Sequence, residues 1–372
     1  MLVLLNASNL GAGGGAEQVT DSICRELYRF NNHIFIVVLP RTFYATANAI
    51  GNYNNVKIVR YSFPLKDWKS LLTKRNSFLD ELVNREKPEC VVTIFGPTKW
   101  VPKCKKHICG FAFAHIPLFN SPFFQRMNTL ERIKAWFRIK YMTYLFRRCS
   151  RVFYSENPMI SERIRKIFHG SQVYTITNNY NQVFDNKALW DYYSLPQFLG
   201  TRIFSATSMM PHKNIGITLR IAEYLRSHFP EFSFQFVLTV NEDSFYSIPV
   251  ELKNNFMFTG VVNLLRIPSL YSQCDIIIQP SLLECFTAAY PEAMRMEKPL
   301  LVPDLDFVHG LCANAALYYS PLSAEDAAVK LYQLANDRTL RESLVENGKV
   351  QLLSFDTCQE RADKLITLCE EL

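Results

Sequence analysis

The charged residues best suited to chemistry in this chain are two glutamates and one lysine. Glu284 and Glu292 are separated by seven residues in PSLLECFTAAYPEAM, and Lys213 lies upstream in the tetrapeptide PHKN. Carboxylates accept hydrogen bonds from hydroxyl groups, and an ammonium group neutralises a phosphate with about 1.5–3 kcal/mol per charge-assisted contact. Together they suit a ligand with a diol and a diphosphate. The alternative for each is a solvated surface charge, so the surrounding elements must decide.

An apolar segment precedes the two glutamates. The run Ile276–Ile278 predicts a buried parallel strand that ends at Pro280, which places Glu284 on the loop after a strand. Open parallel sheets bind ligands beyond the carboxyl ends of their strands. Residues 287–296 predict a helix with Thr287 as its N-cap and Glu292 about two turns inside. The free N–H groups at the start of this helix would favour a diphosphate.

The lysine is predicted to lie on a comparable loop. Residues 202–207 predict a strand, and residues 215–229 predict an amphipathic helix whose apolar positions recur towards a core. Lys213, with His212 beside it, therefore lies between a strand and a helix. A point charge there is well placed to neutralise a diphosphate.

These segments, in this order, resemble the retaining glycosyltransferases of family 4, also called group 1. Further matches are NNFMFTGVV (254–262), LYSQCDIIIQPS (270–281) and EKPLLVPDLDF (297–307), so the resemblance spans nearly the whole chain. It implies the α/β GT-B architecture: two facing Rossmann-like domains and a C-terminal helix that crosses back onto the first. We expect a first domain at residues 1–186, a linker at 187–200, a second domain at 201–353 and the crossover helix at 354–372.

The resemblance also implies roles for individual residues. Lys213 would contact the donor diphosphate, Glu284 the donor sugar and Glu292 the ribose. His115 occupies a position where family members commonly contact the donor sugar or the acceptor, and it joins Lys213 and Glu284 in the predicted catalytic set. The other predicted donor-binding residues are His212, Gly260, Cys285, Phe286, Thr287, Gly14 and Gly15.

Three positions depart from the family pattern. Ser208 stands where many members have an arginine five residues before the lysine, and Cys285 and Thr287 stand where many have glycine. Losing a guanidinium removes a bidentate phosphate clamp. Members with the PHKN form often lack this arginine, so we interpret Ser208 as a subfamily trait.

The N-terminal half contains a glycine-rich first loop. Residues 1–8 predict a strand, followed by GAGGGAEQV with Gly11, Gly13, Gly14 and Gly15 before a helix that extends to about residue 30. Glycines let a ligand approach the backbone closely. A dinucleotide fingerprint fails, because Gln18 replaces its third glycine and no acid follows the next strand. We expect the loop to line the interdomain cleft; a turn without ligand is the alternative.

Two further segments are candidates for the same cleft. In CGFAFAHIPLF, a strand at residues 110–114 would deliver His115 to the carboxyl end of the sheet, although a histidine there is ordinarily structural. In FGPTKW, Thr98 and Trp100 either line an acceptor site or pack in the interior.

Composition indicates an enzyme of the cytoplasm. A chain of 372 residues with 48% hydrophobic residues can fill two cores. No signal peptide or apolar run of about 20 residues is apparent. Ten scattered cysteines indicate a reducing compartment. Cys104, His107 and Cys109 resemble metal ligands, but neighbouring lysines and the lack of a fourth ligand argue against zinc. With no Asp-x-Asp motif beside the site, we expect neither metal nor cofactor.

The net charge of +7 is concentrated in residues 131–151, where seven basic residues interleave with aromatic ones. Such a helix can rest on an anionic membrane surface, which makes peripheral association with the inner face of the membrane one expectation. In the more frequent arrangement, its aromatic side packs in the first domain and a charged face remains outside. We expect no nucleic-acid partner, because no recognised motif accompanies the charge.

The expected activity is transfer of a sugar from a nucleoside diphosphate sugar, as co-substrate, to a hydroxyl of a glycan or lipid-linked glycan, with retention. Bacterial surface polysaccharide or lipopolysaccharide synthesis is the expected setting. Two alternatives stay open: a catalytically silent homologue that serves as a binding subunit, and a GT-B sugar-nucleotide epimerase or phosphorylase. The sequence leaves the sugar, the base, the acceptor and the oligomeric state undetermined.

Overall fold

The computed structural model describes residues 1–11, 14–61 and 76–372 and divides the chain into two compact units. Unit 1 comprises Met1–Phe119, Met127–Asn178 and Asp356–Leu372, and unit 2 comprises Asn120–Arg126 and Asn179–Phe355. The segment expected to be a linker, residues 187–200, belongs to unit 2. Gly13, part of the predicted glycine loop, lies outside the described residues.

Unit 1 contains a seven-stranded parallel sheet with the strand order β3-β2-β1-β4-β5-β6-β7. Its strands are β1 (Leu2–Asn6), β2 (Ile34–Pro40), β3 (Val56–Tyr61), β4 (Cys90–Thr93), β5 (Lys106–Gly110), β6 (Val152–Ser155) and β7 (Gln172–Thr175). In the described residues, the α-helices of unit 1 before residue 179 are α1 (Gly15–Arg25), α2 (Tyr44–Ile50), α3 (Ser77–Glu86), α4 (Thr129–Cys149) and α5 (Pro158–Ile167).

Unit 2 contains a six-stranded parallel sheet with the order β10-β9-β8-β11-β12-β13. Its strands are β8 (Thr201–Ser205), β9 (Phe234–Leu238), β10 (Phe256–Phe258), β11 (Ile276–Ile278), β12 (Leu300–Pro303) and β13 (Ala316–Tyr319). Its helices are α6 (Ile217–His228), α7 (Ile267–Ser272), α8 (Ala289–Arg295), α9 (Asp306–Cys312), α10 (Ala324–Asn336) and α11 (Arg338–Leu352).

The chain ends in unit 1. The terminal helix α12 (Cys358–Glu371) places Leu365, Ile366 and Cys369 in the same core as Val3 and Leu5 of β1. Intervening β1 side chains point to a second core, because successive residues of a strand alternate between faces. Both faces of the sheet are therefore buried, as parallel sheets require. The predicted α/β, GT-B arrangement of two Rossmann-like domains with a returning C-terminal helix is confirmed.

Helix α4 differs from the more frequent arrangement expected for it. Within α4, only Leu145, Phe146 and Cys149 are buried. Trp136 and Phe137 are 54% and 62% exposed. The expectation that the aromatic side packs in the first domain is therefore wrong for the first part of α4. Among the described residues, no helix is both long and apolar enough to cross a bilayer.

Candidate active site

The loop after β8 holds the predicted phosphate lysine. Pro211–Lys213 form one short 3-10 turn, and Asn214 follows with φ of +52°. Asparagine tolerates this left-handed conformation better than most residues. The backbone N–H of Ile217 donates to the carbonyl of Asn214 over 3.0 Å, which begins α6. The asparagine of PHKN thus turns the chain from the lysine into the helix.

The loop after β11 joins the lysine loop directly. The backbone N–H of Leu282 donates to the carbonyl of His212 over 2.8 Å. Glu284 Oε1 lies 2.5 Å from Lys213 Nζ and 4.0 Å from His212 Nε2. The side chains of Lys213 and Glu284 are only 19% and 13% exposed. The alternative of a freely solvated Glu284 is excluded, and the strand prediction for residues 276–278 is confirmed.

Glu292 is more deeply buried than Glu284. It is the fourth residue of α8, so the expectation of two turns of preceding helix is wrong. Its side chain is buried, and Tyr271 on α7 donates its hydroxyl to Oε2 over 3.0 Å. Burial raises the pKa of Glu292 to about 7, while the Tyr271 hydrogen bond and the Lys213 charge act in the opposite direction. The carboxylate is therefore costly to the fold as an anion.

Helix α8 begins later than predicted. Its N-cap is Ala288, which has a helical φ and no capping side chain, so the N-cap expectation for Thr287 is wrong. The backbone N–H of Tyr290 reaches the carbonyl of Thr287 over a long 3.4 Å. Cys285 and Thr287 are buried, and Phe286 contacts the ring of Phe355 edge-on. The N-cap residue of α8 therefore leaves the first N–H groups of the helix without a side-chain acceptor of its own.

Gly260 borders a cavity of unit 2. The cavity has a volume of about 550 Å³ and is lined by Asn241, Glu242, Asp243, Ser244, Phe258, Thr259 and Gly260. These residues lie at the end of β10 or follow β9 and β10, at the carboxyl edge of the sheet where open α/β folds bind ligands. Gly260 has φ of +69°, a conformation that suits glycine.

One part of this site was not predicted from sequence. Residues 120–126 belong to unit 2 although they lie in the first half of the chain. Ser121 donates its hydroxyl to the carbonyl of Leu282 over 2.5 Å, and Arg126 donates to Asn214 Oδ1. The ring of Phe123 meets that of His212 edge-on. This segment therefore contacts both the lysine loop and the glutamate loop, across sequence separations that carry no local signal.

The remaining predicted site residues lie in unit 1. Gly14 is the N-cap of α1 with φ of +74°, and a Cβ at Gly14 or Gly15 would meet nothing within 4 Å. Strand β5 ends at Gly110, so the expected strand at residues 110–114 is wrong. His115 follows in a turn, where its ring stacks on Phe113 at 4.8 Å. The structure therefore places His115 five residues beyond the end of a strand.

The FGPTKW segment packs in the interior. Trp100 is fully buried, and its indole N–H donates to Asp80 over 3.2 Å. Thr98 Oγ1 donates to the carbonyl of Trp100 and accepts from its N–H. Both side chains are used by unit 1 itself, which favours packing over an acceptor site.

The candidate metal ligands are also engaged within unit 1. His107 Nδ1 lies 2.8 Å from the carbonyl of Cys149, and Nε2 lies 3.0 Å from Thr93 Oγ1. Burial lowers the pKa of His107 to about 4. Across the described ranges, no three His, Cys, Asp or Glu residues form a group able to hold a metal ion.

The second half of the chain matches a known family. The sequence profile described as Glycosyl transferases group 1 matches residues 203–351. These residues are therefore similar to glycosyl transferases group 1. Lys213, Glu284 and Glu292 all lie inside the matched residues. The resemblance seen in the sequence is confirmed for this half.

A curated relative gives a narrower match. The chain is 32% identical over 74 residues to the O-antigen chain mannosyltransferase RfbU of Salmonella typhimurium. That match covers 20% of this chain and 21% of the relative's length. Similarity of this extent relates one segment of the chain to one segment of that protein.

Solved glycosyltransferase structures share the fold over the whole chain. A glycosyltransferase from Rickettsia africae superposes with a TM-score of 0.69 at 14% identity, covering 100% of this chain and 98% of that one. HepE from Anabaena, in complex with UDP and glucose, gives 0.67 at 12% identity and covers 100% and 99%. WaaG, a glycosyltransferase involved in lipopolysaccharide biosynthesis, gives 0.68 at 11%, with 99% of each chain covered. The group 1 domain thus lies within a GT-B fold.

Proposed function

We propose that this protein is a retaining glycosyltransferase that moves a sugar from a nucleoside diphosphate sugar to a hydroxyl of a glycan or lipid-linked glycan. The observation that carries the proposal is the ion pair between Lys213 and Glu284, formed by two loops at the carboxyl edge of one parallel sheet. Family membership of residues 203–351 supports the same class of reaction.

In this proposal, Lys213 and Glu284 contact different parts of the donor. The ammonium group neutralises the diphosphate, and the carboxylate accepts hydrogen bonds from sugar hydroxyls. The pair at 2.5 Å orients both groups before the donor arrives. Since neither side chain is more than 19% exposed, little side-chain entropy remains to be lost on binding.

Glu292 and the Gly260 cavity would hold the nucleoside. Glu292 is buried, accepts a hydrogen bond from Tyr271 and is attracted electrostatically by the Lys213 ammonium group. Its carboxylate is therefore oriented before binding. We assign it to the ribose hydroxyls. The cavity lined by residues 241–244 and 258–260 has room for a base. His212, Cys285, Phe286 and Thr287 complete the proposed donor site in unit 2, and the roles of Gly14, Gly15 and His115 in donor binding stay predictions from the resemblance.

The reaction breaks the bond between the anomeric carbon and the diphosphate oxygen. A new bond forms between that carbon and the acceptor oxygen, the proton of the acceptor hydroxyl passes to the diphosphate, and the nucleoside diphosphate departs. Lys213 would stabilise the charge that develops on the leaving oxygen. Retention of configuration is proposed from the resemblance to the family, and independence from metal ions is proposed because no Asp-x-Asp motif of the metal-dependent type lies beside the site.

The proposed setting is synthesis of a bacterial surface polysaccharide or lipopolysaccharide in the cytoplasm. The local similarity to an O-antigen chain mannosyltransferase supports this setting. So does the shared fold with a glycosyltransferase involved in lipopolysaccharide biosynthesis. The acceptor would be a glycan, free or lipid-linked.

The test separates the roles of the two paired residues. Affinities for the nucleoside diphosphate and for the intact donor are measured by calorimetry in the native protein, Lys213→Ala and Glu284→Gln. Lys213→Ala should weaken both ligands at least about tenfold, because a charge-assisted phosphate contact is lost. Glu284→Gln should weaken only the intact donor. Lys349→Ala, which removes an exposed ion pair with Glu297 in the same unit, is the matched control.

Transfer itself is followed by NMR of the product anomeric proton, with and without a chelator. We expect retention, unchanged rates with chelator and at least about a tenfold loss in both site variants. Near-native turnover in both variants would contradict the residue assignments. Nucleotide binding without transfer would favour a silent binding subunit, and a product formed without acceptor would favour an epimerase.

A further inference from the structure

Helix α4 carries a row of exposed apolar side chains that no part of the described chain covers. Its members, the α4 stripe, are between 42% and 69% exposed and comprise Leu130, Ile133, Phe137, Tyr141 and Tyr144. Isolated exposed apolar residues are normal on protein surfaces, whereas a contiguous row is the usual mark of an interaction site.

The spacing of the α4 stripe places its members on one side of the helix. They recur at intervals of three and four residues, so at about 100° per residue they fall within an arc of about 80°. The buried residues Leu145, Phe146 and Cys149 lie about 130° around the helix from the centre of this arc. Helix α4 therefore has two apolar sides, one packed in unit 1 and one facing solvent.

Basic residues flank the α4 stripe on both edges. By the same geometry, Lys140 and Arg147 lie along one edge and Lys134 lies along the other, while Arg148 lies within the arc after the last member of the row. Lys140 lies over the ring of Trp136 at 5.5 Å, and Arg148 lies over Tyr144 at 5.4 Å. Long basic side chains in such positions keep their charge in the polar layer while their stems cover apolar surface.

We propose that the α4 stripe and its flanking basic residues form a docking surface for an anionic phospholipid bilayer. The helix would lie parallel to the membrane plane, with the apolar row in the acyl boundary and the lysines and arginines at the phosphates. Trp136, Tyr141 and Tyr144 are of the residue types that favour this interface.

The positive charge of helix α4 indicates which kind of partner binds the α4 stripe. Helix α4 contains six basic residues and one acidic residue, Glu131, which is used in its own N-terminal capping box. A second copy of this chain would bring the same positive charge to the contact, and like charges across an interface are unfavourable. A negatively charged lipid surface satisfies both the apolar row and the basic edges. The inference does not rest on the transferase assignment, because binding to lipid requires no donor.

The test is flotation of the full-length protein with vesicles of phosphatidylcholine, with and without phosphatidylglycerol. The native protein should float with the anionic vesicles and bind at least about tenfold more weakly to the neutral ones, since each basic residue near an anionic surface contributes about fivefold. The double variant Phe137→Ser, Tyr141→Ser removes two members of the α4 stripe and should lose at least about tenfold in partitioning onto anionic vesicles.

Matched variants control for general effects. Tyr192→Ser with Leu353→Ser removes two apolar side chains that are also exposed, and it should leave partitioning unchanged. Lys134→Glu with Lys140→Glu should lose at least about tenfold, whereas Arg226→Glu with Lys253→Glu alters net charge equally and should lose less than threefold. Circular dichroism verifies that each variant is folded.

Three outcomes would overturn the proposal. The first is no flotation of the native protein with anionic vesicles. The second is equal partitioning of the α4 variants and their controls. The third is a dimer in sedimentation velocity that Phe137→Ser with Tyr141→Ser abolishes, which would assign the α4 stripe to self-association. Each readout is independent of nucleotide binding, so failure here leaves the proposed function untouched.

Discussion

Replacing Glu292 with glutamine should stabilise the protein at alkaline pH while weakening its hold on nucleotide. In the native protein, burial raises the pKa of this carboxyl from 4.5 to about 7. The folded state therefore binds more protons than the unfolded state between these values. Stability attributable to the protonated carboxyl is fully present below pH 4.5 and is lost as pH rises through 7.

The size of this effect follows from the shift. Each pKa unit corresponds to about 1.4 kcal/mol, so the carboxylate costs the folded state about 3 kcal/mol well above pH 7. Between pH 5 and pH 8, the stability of Glu292→Gln relative to the native protein should rise by about 2.5 kcal/mol. If the glutamine side chain of the variant leaves an amide N–H unpaired, the stability of the variant falls equally at both pH values. The change in relative stability between pH 5 and pH 8 is then the same.

The assay is urea unfolding at a series of pH values, with calorimetry to separate the transitions of the two units. Tyr271→Phe is the companion variant. It removes the hydroxyl that donates to Glu292 Oε2, so the pKa of Glu292 in the folded protein should rise further and the loss of stability should continue to higher pH. Nucleoside diphosphate affinity of Glu292→Gln should fall about fivefold or more, because a charged acceptor becomes neutral.

Two results would refute this reasoning. A stability difference between Glu292→Gln and the native protein that does not vary with pH would show that the carboxyl titrates normally. A stabilised variant with native nucleotide affinity would show that Glu292 has no part in binding. A buried charge that costs stability and contributes nothing to a ligand would have no functional explanation.

Native nucleotide affinity should fall as pH is lowered through about 7, where Glu292 protonates, and calorimetry of Glu292→Gln should show a flatter profile. Gly260→Val should reduce nucleotide affinity severalfold in a titration, because its Cβ would approach Asn241 to 3.0 Å beside the cavity. Gly170→Val imposes a similar backbone strain of about 1–2 kcal/mol and should leave binding unchanged. Arg361→Leu removes a buried cation near Glu156 and should cost about 3–5 kcal/mol in urea unfolding, whereas Arg29→Leu breaks an exposed contact with the same helix and should cost under about 1 kcal/mol.

Local pattern in the sequence was sufficient for the main elements. The apolar run at residues 276–278 is a strand because a parallel strand buried on both faces needs no alternation. The position of Lys213 between β8 and α6 followed from periodicity. The depth of Glu292 did not, because the start of α8 lacks a capping side chain and lies two residues later than the pattern indicated.

Long-range packing explains what the sequence left open. Nothing near Ser121 or Arg126 indicates that residues 120–126 join unit 2, since their partners are 161 and 88 positions away. The aromatic residues of α4 were expected to pack in the first domain. Helix α4 has apolar residues on two sides, and only the side that packs against other elements of unit 1 is buried. For Thr98 and Trp100, the sequence allowed either an acceptor site or interior packing, and both side chains are packed in the interior.

The central claim is that a nucleoside diphosphate binds unit 2 at Lys213. The most direct measurement is ligand-observed NMR with UDP, GDP and ADP, each with and without its sugar, on the native protein, Lys213→Ala and the control Lys349→Ala. We predict selective binding of one nucleotide family, weakened at least about tenfold by Lys213→Ala and retained in the control. Absence of binding to all three, or equal binding by the native protein and Lys213→Ala, would contradict the claim.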